Sequence, residues 1–372
     1  MTSIIYVGMD VHTTNYTLCC YSMEDDRFFA EVQVEPDAKN ILKYLARIEK
    51  QQSRDCRIVC GYEAGCLGYS LYHQLHAHGI DCVILAPTTM MTKPGKRIKT
   101  DRRDARLISK CLAFHTYSPV YIPTEVDDAV KEYIRMRDDA NSALARVKQQ
   151  IIAFCIRHGK IHDGKSYWTN KHLEWLSSLD LGNKILSEVL QEYLIRYYQL
   201  REQVDMYDMR INELAQAEPY RQKVEKLGCF RGIAAHTALS FCVEVGDFRR
   251  FATAQQFASY LGLVPGECSS GDKQQYTGIT KAGNSHLRKL LVETAQVFGR
   301  SATKSGKSVA LKERQAKCDS LTVAYADKAN ARLKKKYFKI AMRSNVNIAK
   351  TAVAREMACF IWGMMTDNIS CA

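Results

Sequence analysis

The sequence predicts three parts: a mixed α/β domain, a pair of long helices, and a mainly helical, basic C-terminal domain. Short apolar runs alternate with helical patterns over residues 1–118, which is typical of an α/β sheet domain. Apolar residues then recur at helical spacing within residues 119–217, and positive charge is concentrated in residues 218–372. A chain of 372 residues is long enough for two or three domains of ordinary size.

The N-terminal domain is predicted from strand-like runs bounded by polar or turn residues. These runs cover residues 4–9, 16–21, 28–34, 57–62 and 82–86. Helical patterns cover residues 38–48 and 69–78, and the second of these ends at Gly79, a suitable C-terminal stop. Three strands in succession, followed by strands that alternate with helices, indicate a mixed sheet. This order matches a ribonuclease H-like fold, although the order alone does not identify it.

The middle part contains two series of apolar residues spaced four and three apart. The first runs from Val126 to Phe154 and follows Thr124, a plausible N-cap; the second runs from Leu186 to Leu214. Heptads sustained over this length favour a coiled coil over an ordinary amphipathic helix. The two helices either fold back on each other or pair between subunits. We therefore interpret residues 119–217 as a coiled-coil linker or dimerisation region.

The net charge of +13 is distributed unevenly along the chain. Residues 1–217 carry 28 Lys and Arg against 28 Asp and Glu, whereas residues 218–372 carry 25 against 12. Such asymmetry favours a polyanionic partner, most often nucleic acid. The alternative is a basic surface that only keeps the protein soluble.

Cysteine usage and hydropathy indicate the compartment. The 14 cysteines include no C-x-x-C pair and do not resemble a disulfide framework, so we expect them to be reduced. No apolar run reaches the roughly 18 residues that a membrane span needs, and residues 1–10 lack the pattern of a secretory signal. These features predict a cytoplasmic protein without a membrane partner.

Four carboxylates are candidates for chemistry. Asp10 and Glu63 lie at the ends of two predicted strands, and Asp101 and Asp104 share one face of a predicted helix. Such a set suits a pair of Mg²⁺ (or Mn²⁺) ions, because hard cations take oxygen ligands and two of them can hold both oxygens of a phosphoryl displacement. Alternatively, the helix acids only complement the helix dipole and the strand-end acids are unrelated to them.

Basic residues near these acids and in the C-terminal part are candidates for phosphate contact. The predicted nucleic-acid-binding residues are Lys96, Arg97, Lys99, Arg102, Arg103, Arg106, Lys281 and Arg288. A two-glycine turn at residues 228–233 can also present backbone N–H groups to a phosphate, as helix-hairpin-helix proteins do.

Several segments, taken together and in order, resemble the DEDD insertion-sequence transposases. Those proteins are relatives of the Piv DNA invertase, and their family includes recombinases guided by a bridge RNA. The N-terminal segments are Gly-Met-Asp-Val-His at 8–12, Tyr-Glu-Ala-Gly at 62–65 and Lys-Thr-Asp-Arg-Arg-Asp-Ala-Arg at 99–106. The C-terminal segments are residues 257–265, Ser-Ser-Gly at 269–271 and residues 278–288.

The resemblance implies a RuvC-like N-terminal domain, a coiled-coil linker and a transposase domain. It implies that Asp10, Glu63, Asp101 and Asp104 bind metal and that Ser270, beside Ser269, is the catalytic serine. Without the resemblance, a serine in this small-residue loop is more simply a turn former. The implied partners are DNA, a noncoding guide RNA and further copies of the chain in a dimer or tetramer. The implied location is the nucleoid of a bacterial or archaeal cell.

The predicted function is therefore site-specific DNA transposition or recombination through a seryl-phosphate link. Covalent linkage conserves the phosphodiester energy, so no ATP is expected. One alternative is a Mg²⁺-dependent junction nuclease that only hydrolyses DNA. A second alternative is a nucleic-acid-binding scaffold without catalysis. A covalent protein–DNA adduct distinguishes the first function from both alternatives.

Overall fold

A computed structural model describes residues 3–51, 56–65, 67–90, 100–267, 275–300 and 306–369. The chain divides into two compact units, Met1–Ile122 and Pro123–Ala372. The first unit is mixed α/β and the second is mostly helical, so the predicted fold class is confirmed at this level. The three-part division at 118/119 and 217/218 stays a prediction. Within the described ranges, no helix is long and apolar enough to cross a membrane.

The first unit is built on a five-stranded sheet. Its strands are β1 (Ser3–Val11), β2 (Tyr16–Ser22), β3 (Arg27–Val34), β4 (Cys56–Glu63) and β5 (Asp81–Leu85). The strand order is β3-β2-β1-β4-β5. Strands β1, β2 and β3 are antiparallel neighbours, whereas β4 is parallel to β1 and β5 is parallel to β4. All five strands predicted from the sequence are confirmed.

Helices cover both faces of this sheet. They are α1 (Ala38–Gln51), α2 (Ser70–Ala77) and α3 (Asp101–Ala113). Val7 and Met9 of β1 pack in one core with α1 and α2, while Tyr6 packs in a second core with α3. Because side chains alternate along a strand, even-numbered residues of β1 face α3. That alternation places Asp10 on the α3 face.

The second unit contains the long helices and the basic part of the chain. Its elements are α4 (Glu125–Arg157), α5 (Asn170–Ser177), α6 (Lys184–Gln216), α7 (Arg221–Gly228), α8 (Ala235–Val245), α9 (Ala254–Tyr260), β6 (Pro265–Glu267), β7 (Tyr276–Ile279), α10 (Ser285–Ala295), α11 (Val309–Gln315), α12 (Ser320–Ala341) and α13 (Val346–Met365). Strands β6 and β7 pair antiparallel.

Helices α4 and α6 pack against each other in antiparallel orientation. The ring of Tyr133 lies 5.8 Å from that of Tyr207, and Phe154, at the other end of α4, lies 6.0 Å from Tyr193. Arg137 joins the two helices by donating two hydrogen bonds to Asp208, of 2.7 and 3.0 Å. Of the two arrangements left open by the heptads, the chain adopts the one in which the helices fold back. Supercoiling as a coiled coil stays a prediction.

The core of the second unit surrounds α13, whose Val353, Met357 and Ile361 are fully buried. Helices α9, α10 and α12 pack against α13. The same core includes one end of the long helix pair, through Ile134 of α4 and Ile211 of α6. A separate cluster holds the distal halves of these helices together with α5. The helix pair is therefore anchored in the hydrophobic core of the C-terminal part.

Candidate active site

Two of the predicted acids lie at the carboxyl ends of neighbouring parallel strands. Met9 of β1 is in register with Tyr62 of β4. Asp10 and Glu63 follow these two residues, so both acids reach the same edge of the sheet. Asp10 is largely buried, with its side chain 14% exposed, whereas Glu63 is exposed.

A glycine brings the third acid to this edge. A Cβ atom on Gly8 would lie 2.0 Å from the carbonyl oxygen of Ala105 and 2.4 Å from the backbone nitrogen of Ser109. The backbone of α3 therefore rests directly on β1, at a separation that only glycine permits. Asp10 lies two residues beyond Gly8, about 6.6 Å along the strand. Asp101 lies one helical turn before Ala105, about 6 Å along the helix.

Asp10 and Asp101 therefore lie at similar distances from the Gly8–Ala105 contact, and they meet beside a histidine. One ligand atom each from Asp10, His12 and Asp101 lies within 4.8 Å of the others. Asp104, in the first turn of α3, is close enough to Asp10 to raise the pKa of its carboxyl group. The structure therefore brings three of the four predicted acids, Asp10, Asp101 and Asp104, into one group, which we call the acidic cluster. Glu63 lies at the same edge of the sheet.

Sequence reasoning missed His12 as a member of this cluster. The residue stands in the Gly-Met-Asp-Val-His segment, two positions after Asp10. Residues two apart in extended chain point to the same side, and this spacing is the signal that indicates His12 beside Asp10.

The Asp10 carboxylate is in an unfavourable environment as it stands. Its Oδ2 atom is buried and accepts no hydrogen bond of good geometry from the residues that the structure describes, although it forms an ion pair with His12 Nε2 at 3.3 Å. Burial raises the pKa of Asp10 above its ordinary value, and the charges of Asp104 and Asp101 raise it further, while His12 opposes the shift. An orphaned carboxylate oxygen beside a second carboxylate and an imidazole fits a divalent cation, which accepts oxygen and nitrogen ligands.

The arginines that follow these acids are partly compensated within the first unit. Glu31 of β3 forms ion pairs with Arg106 at 2.6 Å and with Arg102 at 3.3 Å. Arg103 is exposed on the same helix. Lys96, Arg97 and Lys99 lie outside the described residues. Contact of these six residues with nucleic acid stays a prediction.

Ser269 and Ser270 also lie outside the described residues, in the sequence between β6 and β7. A turn follows β7 and contains Lys281, whose side chain is exposed. The backbone N–H of Lys281 donates to the Gly262 carbonyl at 3.1 Å. Arg288 Nη1 donates to the carbonyl oxygens of Leu261 and Ala282, at 2.9 and 3.0 Å. Arg288 therefore braces this turn. The catalytic role of Ser270 and the phosphate contacts of Lys281 and Arg288 stay predictions.

The two-glycine turn joins α7 to α8 and packs into the core. Cys229, Phe230 and Ile233 are fully buried. The Arg231 N–H, one of the groups expected to face a phosphate, donates to Asn330 Oδ1 at 2.9 Å. This N–H is therefore already satisfied within the second unit.

Two segments of the chain match family models of known proteins. Residues 7–156 match a transposase family model for DEDD proteins of the IS110 type, and residues 225–314 match the model described as "Transposase IS116/IS110/IS902 family".

Relatives along most of the chain have the same description. A putative transposase of Sinorhizobium fredii, y4qE, is 35% identical over 82% of this chain and 75% of its own length. The transposase of insertion sequence element IS1533 from Leptospira borgpetersenii is 32% identical over 90% of this chain and 95% of its own length. The transposase of element IS1111A from Coxiella burnetii is 25% identical, over 87% and 83% respectively.

The family model over residues 7–156 includes the sheet and its acidic cluster and identifies this part of the chain as a DEDD transposase domain, which implies a RuvC-like fold and favours the use of a divalent metal. The chain belongs to the IS116/IS110/IS902 family of transposases. It is an enzyme of DNA recombination, which cuts and rejoins DNA, and DNA is its substrate. The family does not favour the hydrolytic nuclease or the inactive scaffold.

Proposed function

We propose that this transposase cuts and rejoins DNA through a covalent link to Ser270, with Mg²⁺ (or Mn²⁺) held at the acidic cluster of the first unit. The observation that supports the metal site most directly is the grouping of ligand atoms from Asp10, His12 and Asp101 within 4.8 Å of one another, around a buried Asp10 Oδ2 atom that accepts no well-formed hydrogen bond from the described residues. The family supports the reaction, since its members are transposases.

Asp10 and Asp101 would hold the cation, with His12 beside them and with Asp104 and Glu63 as the further acids of the site. When bound there, a divalent cation would supply positive charge that stabilises the charge developing at a phosphate during the reaction. The protein's own contribution is geometric. Gly8 lets α3 rest on β1, and this contact fixes the spacing between Asp10 and Asp101.

Ser270 would be the nucleophile. Its Oγ atom forms a bond to the scissile phosphorus, the bond from phosphorus to one deoxyribose oxygen breaks, the Oγ proton is lost, and the released oxygen gains a proton. Rejoining reverses these changes with a deoxyribose hydroxyl of another strand. One phosphoester bond replaces another at each step, so the exchange needs no ATP and no oxidant or reductant.

Selection of the site is proposed to depend on a noncoding guide RNA, and strand exchange on a dimer or tetramer of the chain. Both proposals rest on the resemblance to recombinases guided by a bridge RNA. The excess of positive charge after residue 217 is compatible with binding two nucleic acids.

The test of the nucleophile compares two neighbouring serines. Protein is incubated with labelled target DNA, guide RNA and Mg²⁺, separated on a denaturing gel, and the modified peptide is mapped by mass spectrometry. Ser270→Ala should remove the covalent adduct and rejoining while leaving the melting temperature near that of the parent, because the loss of a single serine hydroxyl usually changes stability little. Ser269→Ala is the matched control and should retain the adduct. An adduct on Ser269, or cleavage without any adduct, would refute the proposal.

A further inference from the structure

The second unit contains a large cavity between the antiparallel strand pair β6 and β7 and the helices α12 and α13. Its volume is about 1260 Å³, which exceeds the ~300–1,000 Å³ typical of small-molecule sites. Leu263, Ile279, Ile348 and Phe360 line it with apolar surface. A cavity of this size with a partly apolar wall suits a segment of a polymer better than a small metabolite.

Positive charge dominates the rest of the cavity wall. The lining contains five cationic side chains, Lys281, Lys328, Arg332, Lys336 and Arg355, and one carboxylate, that of Glu356. Lys328, Arg332 and Lys336 are spaced four residues apart on α12. They therefore form a row along one helix face with a step of about 6 Å. An anionic ligand with charges repeated along its length fits such a row.

Glu356 organises two of these cations without neutralising the wall. Its carboxylate, only 12% exposed, forms ion pairs with Arg332 and, at 2.7 Å, with Lys336 Nζ. Although burial opposes it, these two cations hold the pKa of Glu356 below its ordinary value. The ion pairs fix the direction of Arg332 and Lys336, and the lining keeps a net charge of +4 from its Lys, Arg and Glu side chains.

We propose that this cavity binds one strand of DNA, with the phosphates against the α12 row and Arg355 and the sugars and bases against the apolar wall. The inference rests on the proposed function. Strands β6 and β7 form part of the cavity wall, and in the sequence they flank Ser270, the residue proposed to attack DNA. We therefore choose DNA as the polyanion that binds here. A single strand fits better than a duplex, since only unpaired nucleotides offer base faces that gain by leaving water.

The test measures how DNA affinity depends on salt. The full-length protein has Ser270→Ala as background and the buffer contains a chelator, so that neither seryl chemistry nor metal enters the measurement. Lys328→Gln with Arg355→Gln removes two exposed cations of the cavity. Lys335→Gln with Lys339→Gln is the matched control, because both residues are exposed on α12, outside the cavity lining, and the change in net charge is the same.

Each phosphate contact with a single strand contributes about 0.7 to the slope of log K against log salt. The cavity pair should therefore lower the magnitude of the slope by about 1.4 with a single-stranded oligonucleotide, while the control pair leaves it near the parent value. Equal slopes for the two pairs would overturn the proposal. A loss confined to duplex DNA, or to an RNA oligonucleotide, would also overturn it. A missing Ser270 adduct would refute the proposed function but leaves these slopes unchanged.

Discussion

Replacing Asp10 by asparagine tests two effects of its charge separately: the loss of folding stability without metal and the binding of metal. Asp10→Asn keeps the shape of the side chain and removes a negative charge that is buried beside two other carboxylates. In the absence of metal, the charge of Asp10 is repelled by that of Asp101 and is deprived of solvent. We therefore expect the metal-free variant to be more stable than the parent.

The size of this effect follows from the distance between the ligand atoms. The ligand atoms of Asp10 and Asp101 lie within 4.8 Å of each other. Two unit charges at that limiting distance repel each other by about 0.9 kcal/mol at the dielectric constant of water and by about 3.5 kcal/mol at an effective value of ~20. Asp101 is partly exposed and His12 offsets some of the repulsion, so the lower end applies. A gain of about 1 kcal/mol in the free energy of unfolding corresponds to a rise of a few degrees in melting temperature.

The assay is thermal unfolding in chelator and in excess Mn²⁺ or Mg²⁺. A cation that binds the folded parent at a concentration of about 100 Kd adds roughly 2.7 kcal/mol to its stability. Asp10→Asn should melt above the parent in chelator and should lose most of the shift caused by metal. Glu49→Gln, which removes an exposed acid from α1, is the control and should behave as the parent does. If Asp10→Asn melts below the parent in chelator and keeps the full metal shift, the cluster is not a metal site.

Two further predictions concern the same edge of the sheet. Gly8→Ala places a methyl group 2.0 Å from the Ala105 oxygen, so α3 must move away from β1. We expect a loss of about 1–3 kcal/mol in the free energy of unfolding and a smaller metal shift. Gly65→Ala is the control and should change neither, because its Cβ would meet only the Glu63 carbonyl oxygen, at an ordinary contact distance of 3.9 Å. The pKa of Asp10 is raised in the folded state, so its contribution to stability is fully present below the unfolded pKa and is lost as pH rises through the folded pKa. In chelator, the stability advantage of Asp10→Asn over the parent should therefore grow with pH across that interval, as denaturant titrations at successive pH values will measure, and a constant difference would contradict the assigned shift.

The sequence predicts the elements of the first unit well because their signals are local. Alternating or continuous apolar runs mark the strands, and Gly79, which follows α2, marks a helix end. The Thr124 N-cap of α4 is confirmed, since its hydroxyl accepts from the Asp127 N–H at 3.1 Å. These features depend only on residues within one turn or one strand, so no knowledge of the tertiary fold is needed to find them.

Partners across the fold are less accessible to sequence reasoning. The heptads predict two long helices but not what each helix packs against, because an apolar stripe packs equally well within a chain or between chains. In the structure the two helices pack against each other, and Arg137 of α4 donates two hydrogen bonds to Asp208 of α6. Arg288 is predicted as a phosphate contact, which stays a prediction; its Nη1 atom also donates to two backbone carbonyls, a contact that the sequence does not indicate. Which role an arginine takes depends on acceptors that the sequence does not bring together by itself.

The distribution of compensating charge indicates which unit supplies the salt-dependent part of DNA affinity. In the first unit, Arg102 and Arg106 both form ion pairs with Glu31. To bind a phosphate they must weaken these pairs, and this loss offsets part of the affinity gained from counterion release. The cavity lining of the second unit contains five cations and one carboxylate, that of Glu356, which pairs with Arg332 and Lys336. Three of the five need give up no pair with that carboxylate to meet a phosphate. Among the described residues, affinity for the DNA backbone is thus expected to arise mainly from the second unit, whereas the negative charge of Asp10, Asp101 and Asp104 in the first unit opposes the approach of DNA.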